Sequence, residues 1–316
     1  MKTVDLSIII LSYNTKELIK NCLYSIVGGI VDGKKFLNTE VIVVDNNSSD
    51  GSVELIKSIV PDLEKKAQNK NLKIKIIKNK ENLGFSKGNN VGLRKAKGEY
   101  LLFLNSDTEV FPGSLVKAWE FMKKHAEVGS LTPKTLLTSG KMDPDCHRGF
   151  PTPWASFSYF LGLEKLFPQS KIFGQYHKFY LNLDENHEIE AGAGAFMMVP
   201  RKVIEKVGGW DENYFFYGED LDFYYRIKKA GFKVMFYAKP LLKHYKGASS
   251  GLRKESKNIA KNSKENQIRV AKASVEAMEI FYKKFYKDIY PKWLTRLVLG
   301  AIRVKGFFRV LKYYLS

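Results

Sequence analysis

The sequence predicts an α/β protein in which a mainly parallel central sheet is flanked by helices. Short aliphatic runs of strand length recur through the first hundred residues, and amphipathic segments of helix length separate them. Strand then helix, repeated, favours parallel pairing, because parallel strands need a long crossover connection. The chain, at 316 residues, can also bury a sizeable core. In such sheets, ligands bind at the carboxyl ends of the strands.

The predicted elements follow one another along the chain. Strands are expected at residues 6–11, 40–45, 72–77, 99–104, 195–200 and 232–238. Helices are expected at residues 15–26, 52–60, 86–98, 201–209 and 219–231. From about residue 130 to residue 190 the periodicity gives way to proline, glycine and aromatic residues. That stretch predicts a long irregular insert, a kind of segment that often carries substrate recognition.

The distribution of charge separates two predicted units. The net charge is +19, and from Lys243 to Ser316 there are 18 Lys or Arg against 5 Asp or Glu, so the other 242 residues carry only +6. We expect a main domain at residues 1–248, and at 249–316 a mobile basic linker followed by amphipathic helices. The basic segment indicates an anionic partner, either nucleic acid or an acidic membrane surface.

Two further features favour a cytoplasmic location. Cys22 and Cys146 lie far apart and have no metal-ligand or redox spacing, which excludes a disulfide framework. The apolar run at 6–11 is short and follows Asp5, so it is typical of a strand rather than a signal peptide. No stretch approaches the roughly 18 to 20 uninterrupted apolar residues that a membrane-spanning helix requires.

Polar side chains stand where the predicted strands end. They are Ser12–Tyr13–Asn14, Asp45–Asn46–Asn47 and Asn105–Ser106–Asp107. The chain has no GxxxxGK[ST] and no GxGxxG after its first strand, which argues against P-loop NTPases and dinucleotide oxidoreductases. Further along, YFFYGEDLDFYYR places Glu219, Asp220 and Asp222 within four positions among aromatic residues. Carboxylates so close repel one another, so this segment indicates that an acid is needed there.

Taken in order, these segments resemble the successive blocks of family 2 glycosyltransferases. The resembling blocks are SIIILSYN, VVDNNSSDGS, NLGFSKGNNVGLRKAKGEYLLFLNSDT and GGWDENYFFYGEDLDFYYRIKKAGF, from about residue 5 to residue 250. The resemblance implies the GT-A fold, a Rossmann-like α/β domain, which here precedes a basic C-terminal helical extension. It also implies transfer of a sugar from a nucleoside-diphosphate donor, a dTDP- or UDP-sugar, to a hydroxyl group.

The resemblance assigns the strand-end residues to the donor nucleotide. The residues expected there are Ser12, Tyr13, Asn14, Asp45, Asn46, Asn82, Gly84, Gly88, Asn89, Asn105 and Ser106. Asp45 and Asn46 offer acceptor oxygens to the N3–H of a uracil or thymine ring, and the glycines permit close approach. The alternatives are that Asp45 and Asn46 cap the following helix and that residues 82–89 form a plain helix-entry loop.

The NSD at 105–107 matches the DxD element of the family at its last position, and Asn105 replaces the first acid. The resemblance implies that Asp107, with His244 after the last strand, binds Mg²⁺ or Mn²⁺. Such an ion neutralises the charge that develops on the leaving diphosphate. The alternatives are an aspartate in a strand-end turn and a structural histidine.

The second letter of the family's ED motif corresponds to Asp220, which the resemblance implies as general base. One carboxylate accepts the proton of the acceptor hydroxyl during attack on the anomeric carbon, and a single displacement inverts the configuration. A double displacement needs a second, nucleophilic carboxylate, for which the sequence offers no clear candidate. The alternative is that Glu219 and Asp220 complement the dipole of a helix after Gly218, with Asp222 paired to Arg226.

Acceptor contacts are expected from Trp210, Asp211, Glu219 and Arg148. Sugar rings stack on aromatic faces, so Trp210 is expected to floor the acceptor site with its neighbours Phe215 and Phe216, for which core packing is the alternative. The stretch HRGFPTPW at 147–154 resembles a block of a rhamnosyltransferase-like subgroup, although Gly149 separates the arginine from FP. This block suggests rhamnose as the transferred sugar.

The C-terminal segment predicts amphipathic helices. Basic residues share one side, and apolar or aromatic residues lie opposite; the basic set is Lys292, Arg296, Arg303, Lys305, Arg309 and Lys312. Segments of this kind lie in a membrane interface, whereas the alternative is a helix packed on the main domain. We therefore expect a peripheral enzyme on the inner face of the plasma membrane, able to form a homodimer. Its acceptor would be a glycan or a polyprenyl-diphosphate-linked glycan used for cell-surface polysaccharide.

Three other functions compete with this interpretation. A nucleic-acid-binding protein would interleave basic and aromatic residues on one surface, whereas here the charge lies mostly in the tail, so no nucleic-acid partner is expected. A sugar-1-phosphate nucleotidylyltransferase would carry a glycine-rich basic loop after the first strand, and SYNTKE is not such a loop. A catalytically inactive carbohydrate-binding relative is disfavoured by the intact Asp107 and Asp220.

Overall fold

The computed structural model describes residues 3–67, 72–247 and 264–315. Its strands are β1 (Leu6–Ser12), β2 (Val31–Asp32), β3 (Lys35–Phe36), β4 (Thr39–Asp45), β5 (Leu72–Lys78), β6 (Tyr100–Asn105), β7 (Thr108–Val110), β8 (Val128–Leu137), β9 (His187–Ile189), β10 (Phe196–Pro200) and β11 (Lys233–His244). Its helices are α1 (Lys16–Gly29), α2 (Ser52–Lys66), α3 (Gly84–Leu93), α4 (Ser114–Lys124), α5 (Pro153–Phe160), α6 (Leu163–Leu166), α7 (Arg201–Val207), α8 (Glu219–Lys229), α9 (Lys264–Phe285) and α10 (Lys292–Leu315).

One large sheet forms the centre of the molecule. Its strands run in the order β5-β4-β1-β6-β10-β8-β11-β7, with β9 also paired to β11. The first four are parallel, and β8 is parallel to β11, whereas β7, β9 and β10 pair antiparallel. Ser12 is in register with Asp45, and Leu11 with Asn105. The predicted α/β class is confirmed, and three polar strand ends meet at one edge of the sheet.

Each face of the sheet carries its own apolar core. Ile8 and Ile10 pack with α1, α2 and α4 on one face, and Ile9 packs with α3, α7 and α8 on the other. This alternation follows from the two-residue repeat of a strand, which points neighbouring side chains to opposite faces. Because both faces are covered, β1 and β4 are buried along nearly their whole length, and each has a run of four aliphatic residues at its centre, as is usual for parallel strands.

Several element boundaries differ from the predictions. The predicted irregular insert begins with β8, a ten-residue strand of the central sheet, and α4 was not predicted. Helix α3 ends at Leu93 rather than at residue 98, where the chain turns toward β6. The predicted linker lies mostly outside the described residues, but its last residues, from Lys264, are helical in α9.

The C-terminal helices are attached to the rest of the molecule through contacts with α8. Phe281 and Tyr286 of α9 and its following turn pack around Tyr225, and Lys284 pairs with the buried Asp222. Helix α10 packs back on α9, where a Cβ at Gly306 would meet Val275. Among the described residues, no helix combines the length and the apolar character needed to cross a bilayer.

Candidate active site

A cavity of about 1340 Å³ opens at the carboxyl edge of the sheet. Most of the predicted site residues line it: Tyr13, Asn46, Asn82, Gly84, Asn105, Ser106, Asp107, Arg148, Glu219, Asp220 and His244. The lining does not include Ser12, Asn14, Asp45, Gly88, Asn89, Trp210 or Asp211. The fold therefore brings residues from both halves of the chain to one place.

The end of β1 is held by a short chain of hydroxyl groups. The Oγ of Ser12 lies 3.1 Å from Oγ1 of Thr15, which donates to Oγ of Ser106 at 3.1 Å. The side-chain oxygen of Asn14 accepts from the backbone of Ser49 at 2.9 Å, and Asn14 takes a left-handed φ of 51°. Ser12 and Asn14 thus connect neighbouring loops through their hydrogen bonds, and Tyr13 between them lines the cavity.

Asp45 and Asn46 fix the loop after β4. One oxygen of Asp45 accepts from the backbone N–H of Ser48 at 3.0 Å, and Oδ1 is buried without a hydrogen-bond partner among the described residues. The N-cap of α2 is Gly51, and the residue before it, Asp50, accepts from the backbone N–H of Ser52 at the start of the helix. The predicted alternative that Asp45 caps this helix is therefore wrong. A buried carboxylate oxygen without a partner is suited to a ligand N–H.

The loop before α3 is bound to Asn46. The side-chain N–H groups of Asn46 donate to Oδ1 of Asn82 and to the carbonyl of Gly84, both at 3.1 Å. Gly84 has a φ of 80°, and a Cβ there would meet Phe215 at 2.6 Å, so only glycine fits. The loop is thus clamped between β4 and the segment that precedes α8.

Two residues predicted to contact the donor serve the packing of α3. A Cβ at Gly88 would clash with Leu11 of β1, so this glycine permits close approach of helix and strand rather than of a ligand. Asn89 is buried, and its side chain donates to the carbonyl of Phe85 at 3.0 Å. Neither residue reaches the cavity.

On the next strand end, Asp107 faces His244. Oδ1 of Asp107 is buried 3.3 Å from Nε2 of His244 and has no aligned hydrogen bond among the described residues. Nδ1 of the same imidazole lies 3.4 Å from Oδ2 of Asp143, which also accepts from Lys246. Burial disfavours the imidazolium, but the two carboxylates outweigh it and raise the pKa of His244 to about 9.

Asp107 and His244 fit the role of cation ligands. The carboxylate oxygen of Asp107 is a donor for Mn²⁺ or Mg²⁺, and Nε2 of His244 becomes one when the cation displaces its proton, while Asp143 orients the ring from its other nitrogen. The described residues contain no cluster of three such side chains, so water and donor oxygens would complete the shell.

Asp220 lies at the start of α8 and is held from three sides. Its Oδ2 accepts from Nη2 of Arg148 at 2.6 Å and from the backbone of Gly194 at 3.3 Å, and its Oδ1 accepts from the backbone of Leu221 at 2.8 Å. The helix begins after Gly218, whose φ is 79°, as predicted. The predicted pair of Asp222 with Arg226 is also present, at 2.6 Å.

Glu219 lies beside Asp220 in a drier environment. It is buried, and its Oε2 has no hydrogen-bond partner among the described residues. Burial and the neighbouring Asp220 raise the pKa of Glu219 to about 8. Glu219 is therefore mostly protonated at neutral pH.

Three predicted acceptor residues are placed differently from expectation. Trp210 lies in the core, packed edge-on against Phe85 and Phe103, and does not reach the cavity. Asp211 binds Lys284 of α9 at 2.5 Å. Arg148 lines the cavity, but its guanidinium is engaged by Asp220 and by the carbonyl of Gly192. By contrast, Phe215 and Phe216 do line the cavity.

The sequence reasoning missed Asp143, Asp145 and Lys246. All three line the cavity, and Lys246 donates to both carboxylates. Burial opposes their ionisation, yet the interaction with Lys246 and, for Asp143, with His244 lowers the pKa of each acid. A signal was available, because DPD stands just before Arg148 and Lys246 stands two residues after His244.

Comparison with known families identifies this arrangement. The sequence model of glycosyl transferase family 2 matches residues 7–208, more than half of the chain. The chain belongs to glycosyltransferase family 2. A second family model, described as the N-terminal domain of galactosyltransferase, matches residues 174–248, which include Asp220 and His244. The predicted GT-A fold agrees with solved glycosyltransferases of similar structure.

Curated relatives of this glycosyltransferase act in glycan biosynthesis. A low-salt glycan biosynthesis hexosyltransferase from Haloferax volcanii is 29% identical, over 73% of this chain and 64% of its own length. An N-acetylglucosaminyl-diphospho-decaprenol L-rhamnosyltransferase from Mycobacterium tuberculosis is 23% identical, over 73% of this chain and 74% of its own. The chain spans less than two thirds of several relatives, including 20% of a poly(ribitol-phosphate) beta-glucosyltransferase from Bacillus spizizenii and 12% of an O-antigen biosynthesis protein from Myxococcus xanthus.

Solved structures share the fold of the glycosyltransferase. A mannosyltransferase from Pyrobaculum calidifontis, solved with GDP-Man and Mn²⁺, has a TM-score of 0.57 at 16% identity, over 100% of this chain and 74% of that chain. Residues 1–349 of S. aureus TarS give a TM-score of 0.53 at 17% identity, over 90% of this chain and 73% of that chain. At these identities the likeness concerns the fold alone.

Proposed function

We propose that this chain is a metal-dependent, inverting glycosyltransferase that uses a dTDP- or UDP-sugar. It transfers the sugar to a hydroxyl of a glycan or lipid-linked glycan in cell-surface polysaccharide synthesis. The observation that carries the proposal is Asp220, a carboxylate fixed by Arg148 and Gly194 in the same cavity as Asp107 and the strand-end loops.

The donor nucleotide would lie over the ends of β1 and β4. Tyr13, Asn46 and the loop at Gly84 line the cavity there. Asp45, one residue before Asn46, has a buried Oδ1 with no hydrogen-bond partner in the part of the chain that the structure describes. Rhamnose as the donor sugar is supported by the block at 147–154 and by the mycobacterial rhamnosyltransferase among the relatives.

Asp107 and His244 would hold Mg²⁺ or Mn²⁺ beside the diphosphate. When bound, the cation supplies positive charge to the leaving nucleoside diphosphate. The two side chains are close enough to bind one cation together, because Oδ1 of Asp107 lies 3.3 Å from Nε2 of His244. Asn105, which replaces the first acid of the motif, lines the cavity without adding a carboxylate.

Asp220 would accept the proton of the acceptor hydroxyl, because it lines the cavity at the position of the family's ED motif, where Arg148 and Gly194 both bind its Oδ2. Asp107 faces His244, Lys246 binds both Asp143 and Asp145, and the pKa of Glu219 is raised to about 8. With Asp220 as the one base that the resemblance assigns, and no nucleophilic carboxylate assigned beside it, a single displacement with inversion is the reaction that this cavity supports best. Arg148 and the backbone of Gly194 would keep the base oriented.

The C-terminal extension, which we place at residues 249–316, would bring the catalytic domain at 1–248 to the inner face of the plasma membrane. Trp293 and Phe307 of α10 are 67% and 63% exposed, and basic residues such as Arg296 and Lys312 are exposed on the same helix. Exposed aromatic and basic side chains on one helix favour an anionic membrane interface.

A thermal-shift panel tests the donor and metal together. Uridine, deoxythymidine, guanosine and cytidine diphosphates are each added with Mn²⁺ or with a chelator, at about 100 times the expected dissociation constant. Binding at that excess adds about 2.7 kcal/mol to the free energy of unfolding. We expect Mn²⁺-dependent stabilisation by the uridine or deoxythymidine compound, and its loss in Asp107→Ala. If no diphosphate stabilises the protein, the proposed function is wrong.

A further inference from the structure

The cavity continues beyond the predicted catalytic residues into an apolar arm. Three helices, α5, α9 and α10, contribute its walls, and Phe157, Leu294 and Phe281 are among the apolar side chains that line it. Pockets for small ligands usually measure about 300 to 1,000 Å³. The 1340 Å³ found here therefore leaves room for more than a sugar nucleotide.

The apolar arm reaches the surface through exposed side chains. Phe157 and Phe160 of α5 are 51% and 53% exposed, and Leu297 of α10 is 60% exposed, although all three line the cavity. Trp154 lies beside Phe157, with ring centroids 5.8 Å apart. Large apolar side chains gathered at the mouth of a cavity mark a binding site for an apolar partner.

Two cations line the same arm. Lys305 and Arg309 are four residues apart on α10, so they lie on one side of the helix, and both line the cavity. The ammonium group of Lys305 lies 3.0 Å from the ring centroid of Phe160. Burial and the neighbouring Arg309 lower the pKa of Lys305 to about 8. Two like charges held together favour an anion between them.

These two cations differ from their neighbours on the helix. Arg303 pairs with Glu279 of α9 at 3.0 Å, whereas neither Lys305 nor Arg309 forms an ion pair within the described part of the chain. Phosphate oxygens are natural partners for a lysine and an arginine at this spacing. A diphosphate attached to a hydrocarbon chain matches both the cations and the apolar wall.

We propose that this arm binds the acceptor lipid of the transferase. The hydrocarbon chain of a polyprenyl-type phosphate or diphosphate lies between α5 and α10, its phosphate is bound by Lys305 and Arg309, and its sugar extends toward Asp220. The inference rests on the proposed function, since it takes the cavity end at Asp220 as the site of transfer. An anionic phospholipid headgroup presents similar phosphate chemistry, so the experiment must separate the two sources.

The test compares two double variants of equal charge change. Lys305→Gln with Arg309→Gln alters the cavity, and Lys57→Gln with Lys65→Gln alters exposed positions of α2 that do not line the cavity. The binding of undecaprenyl phosphate is measured in neutral phosphatidylcholine vesicles, with phosphatidylglycerol in its place as the second arm. Thermal unfolding with and without the stabilising nucleoside diphosphate checks that each variant folds and retains its donor site.

We expect the cavity pair to weaken undecaprenyl phosphate binding at least about tenfold, since each charged contact to phosphate is worth roughly that factor. The control pair should change it less than about threefold. Equal losses in both pairs, no loss in either, or equal binding of phosphatidylglycerol would overturn the proposal. The nucleotide response is independent of these outcomes, so its absence would count against the proposed function and not against the lipid site.

A second variant tests the apolar wall if the charge variants unfold. Phe160→Ser removes the ring beside Lys305 while leaving both cations. We expect it to weaken the binding of undecaprenyl phosphate more than that of a short-chain prenyl phosphate, because only the long chain reaches along the wall. An equal effect on both chain lengths would contradict the assignment of the hydrocarbon chain to this arm.

Discussion

Glu219 links the electrostatics of the site to the stability of the protein. Burial and Asp220 raise its pKa from 4.5 to about 8. Between these values the folded protein holds a proton that the unfolded chain has lost. The free energy of unfolding therefore falls as pH rises from about 4.5 to about 8, and the penalty is complete above that window.

Replacing Glu219 by glutamine should remove this penalty. We expect Glu219→Gln and the wild type to have similar stability near pH 5, and the variant to be more stable near pH 8.5 by roughly 2 kcal/mol or more. Urea unfolding at both pH values measures the difference. A gap that does not grow with pH would show that Glu219 titrates normally in the folded state.

Arg148 acts on the reaction through the carboxylate that it holds. Its Nη2 lies 2.6 Å from Oδ2 of Asp220, and the same guanidinium also donates to the carbonyl of Gly192. Both bonds come from Nη2, and lysine keeps the charge but has a shorter side chain, so its ammonium group would not reach the position of Nη2. Arg148→Lys should therefore lower kcat about tenfold or more and leave nucleotide-dependent stabilisation unchanged. An unchanged kcat, or a loss confined to KM for the donor, would remove this positioning role.

At the scale of elements, a glycine lies at each end of α8, and substituting the two by alanine gives a matched comparison. Gly218 before the helix and Gly231 after it have φ values of 79° and 90°. A Cβ at Gly218 would meet Ala277 of α9 at 3.1 Å, whereas nothing lies within 4 Å of one at Gly231. Both substitutions by alanine thus strain the backbone, and only the first disturbs the packing of α9.

We expect Gly231→Ala to lower the free energy of unfolding by about 1 kcal/mol and Gly218→Ala to lower it further. Urea unfolding of both variants provides the comparison. Equal losses would mean that the contact with Ala277 does not affect the free energy of unfolding, because α9 moves aside there at no energetic cost.

The attachment of α9 to α8 depends on Lys284. Its ammonium group lies 2.6 Å from Oδ2 of the buried Asp222 and 2.5 Å from Oδ2 of Asp211. Removing it takes away one of the two cations that pair with the buried Asp222. Lys284→Met should cost about 1 to 3 kcal/mol.

The neighbouring Lys283 supplies the control, because it is exposed and pairs with Glu279 on the same helix. Lys283→Met should change the free energy of unfolding by less than about 0.5 kcal/mol. Comparable effects of the two variants, measured by the same denaturant series, would argue that the ion pairs of Lys284 do not anchor α9.

The strongly periodic elements were the ones that sequence reasoning could predict. β1 and β4 are continuous apolar runs because both faces of the sheet are covered, and α8 begins where glycine precedes acids. β8 was missed because Pro133 interrupts its pattern. Pro133 lies past Leu131, where β10 pairs with β8, and at the point where the pairing with β11 shifts register. The local sequence does not show that the strand can accommodate a proline at this position.

At the scale of the whole molecule, the sheet explains which site residues were predictable. The carboxyl ends of parallel strands in register lie at one edge of the sheet. The meeting of Asn46 and Asp107 with Asp220 in one cavity could therefore be expected from the pattern and the resemblance together. Asp143 and Lys246 were missed because loops without periodicity bring them to His244, and their sequence signals were the DPD before Arg148 and a lysine two residues after His244. Trp210 illustrates the opposite error, because an aromatic residue beside the motif fills the core.

The most direct test of the account is the effect of Asp220→Asn on turnover and on donor binding. Release of nucleoside diphosphate from the sugar nucleotide is measured with a lipid-linked glycan and with water as acceptors, beside the Mn²⁺-dependent thermal shift. A positioned base contributes about 10² to 10⁴ to the rate. We predict a loss of that size with an unchanged thermal shift. Turnover equal to that of the wild type would contradict the central claim that Asp220 is the catalytic base.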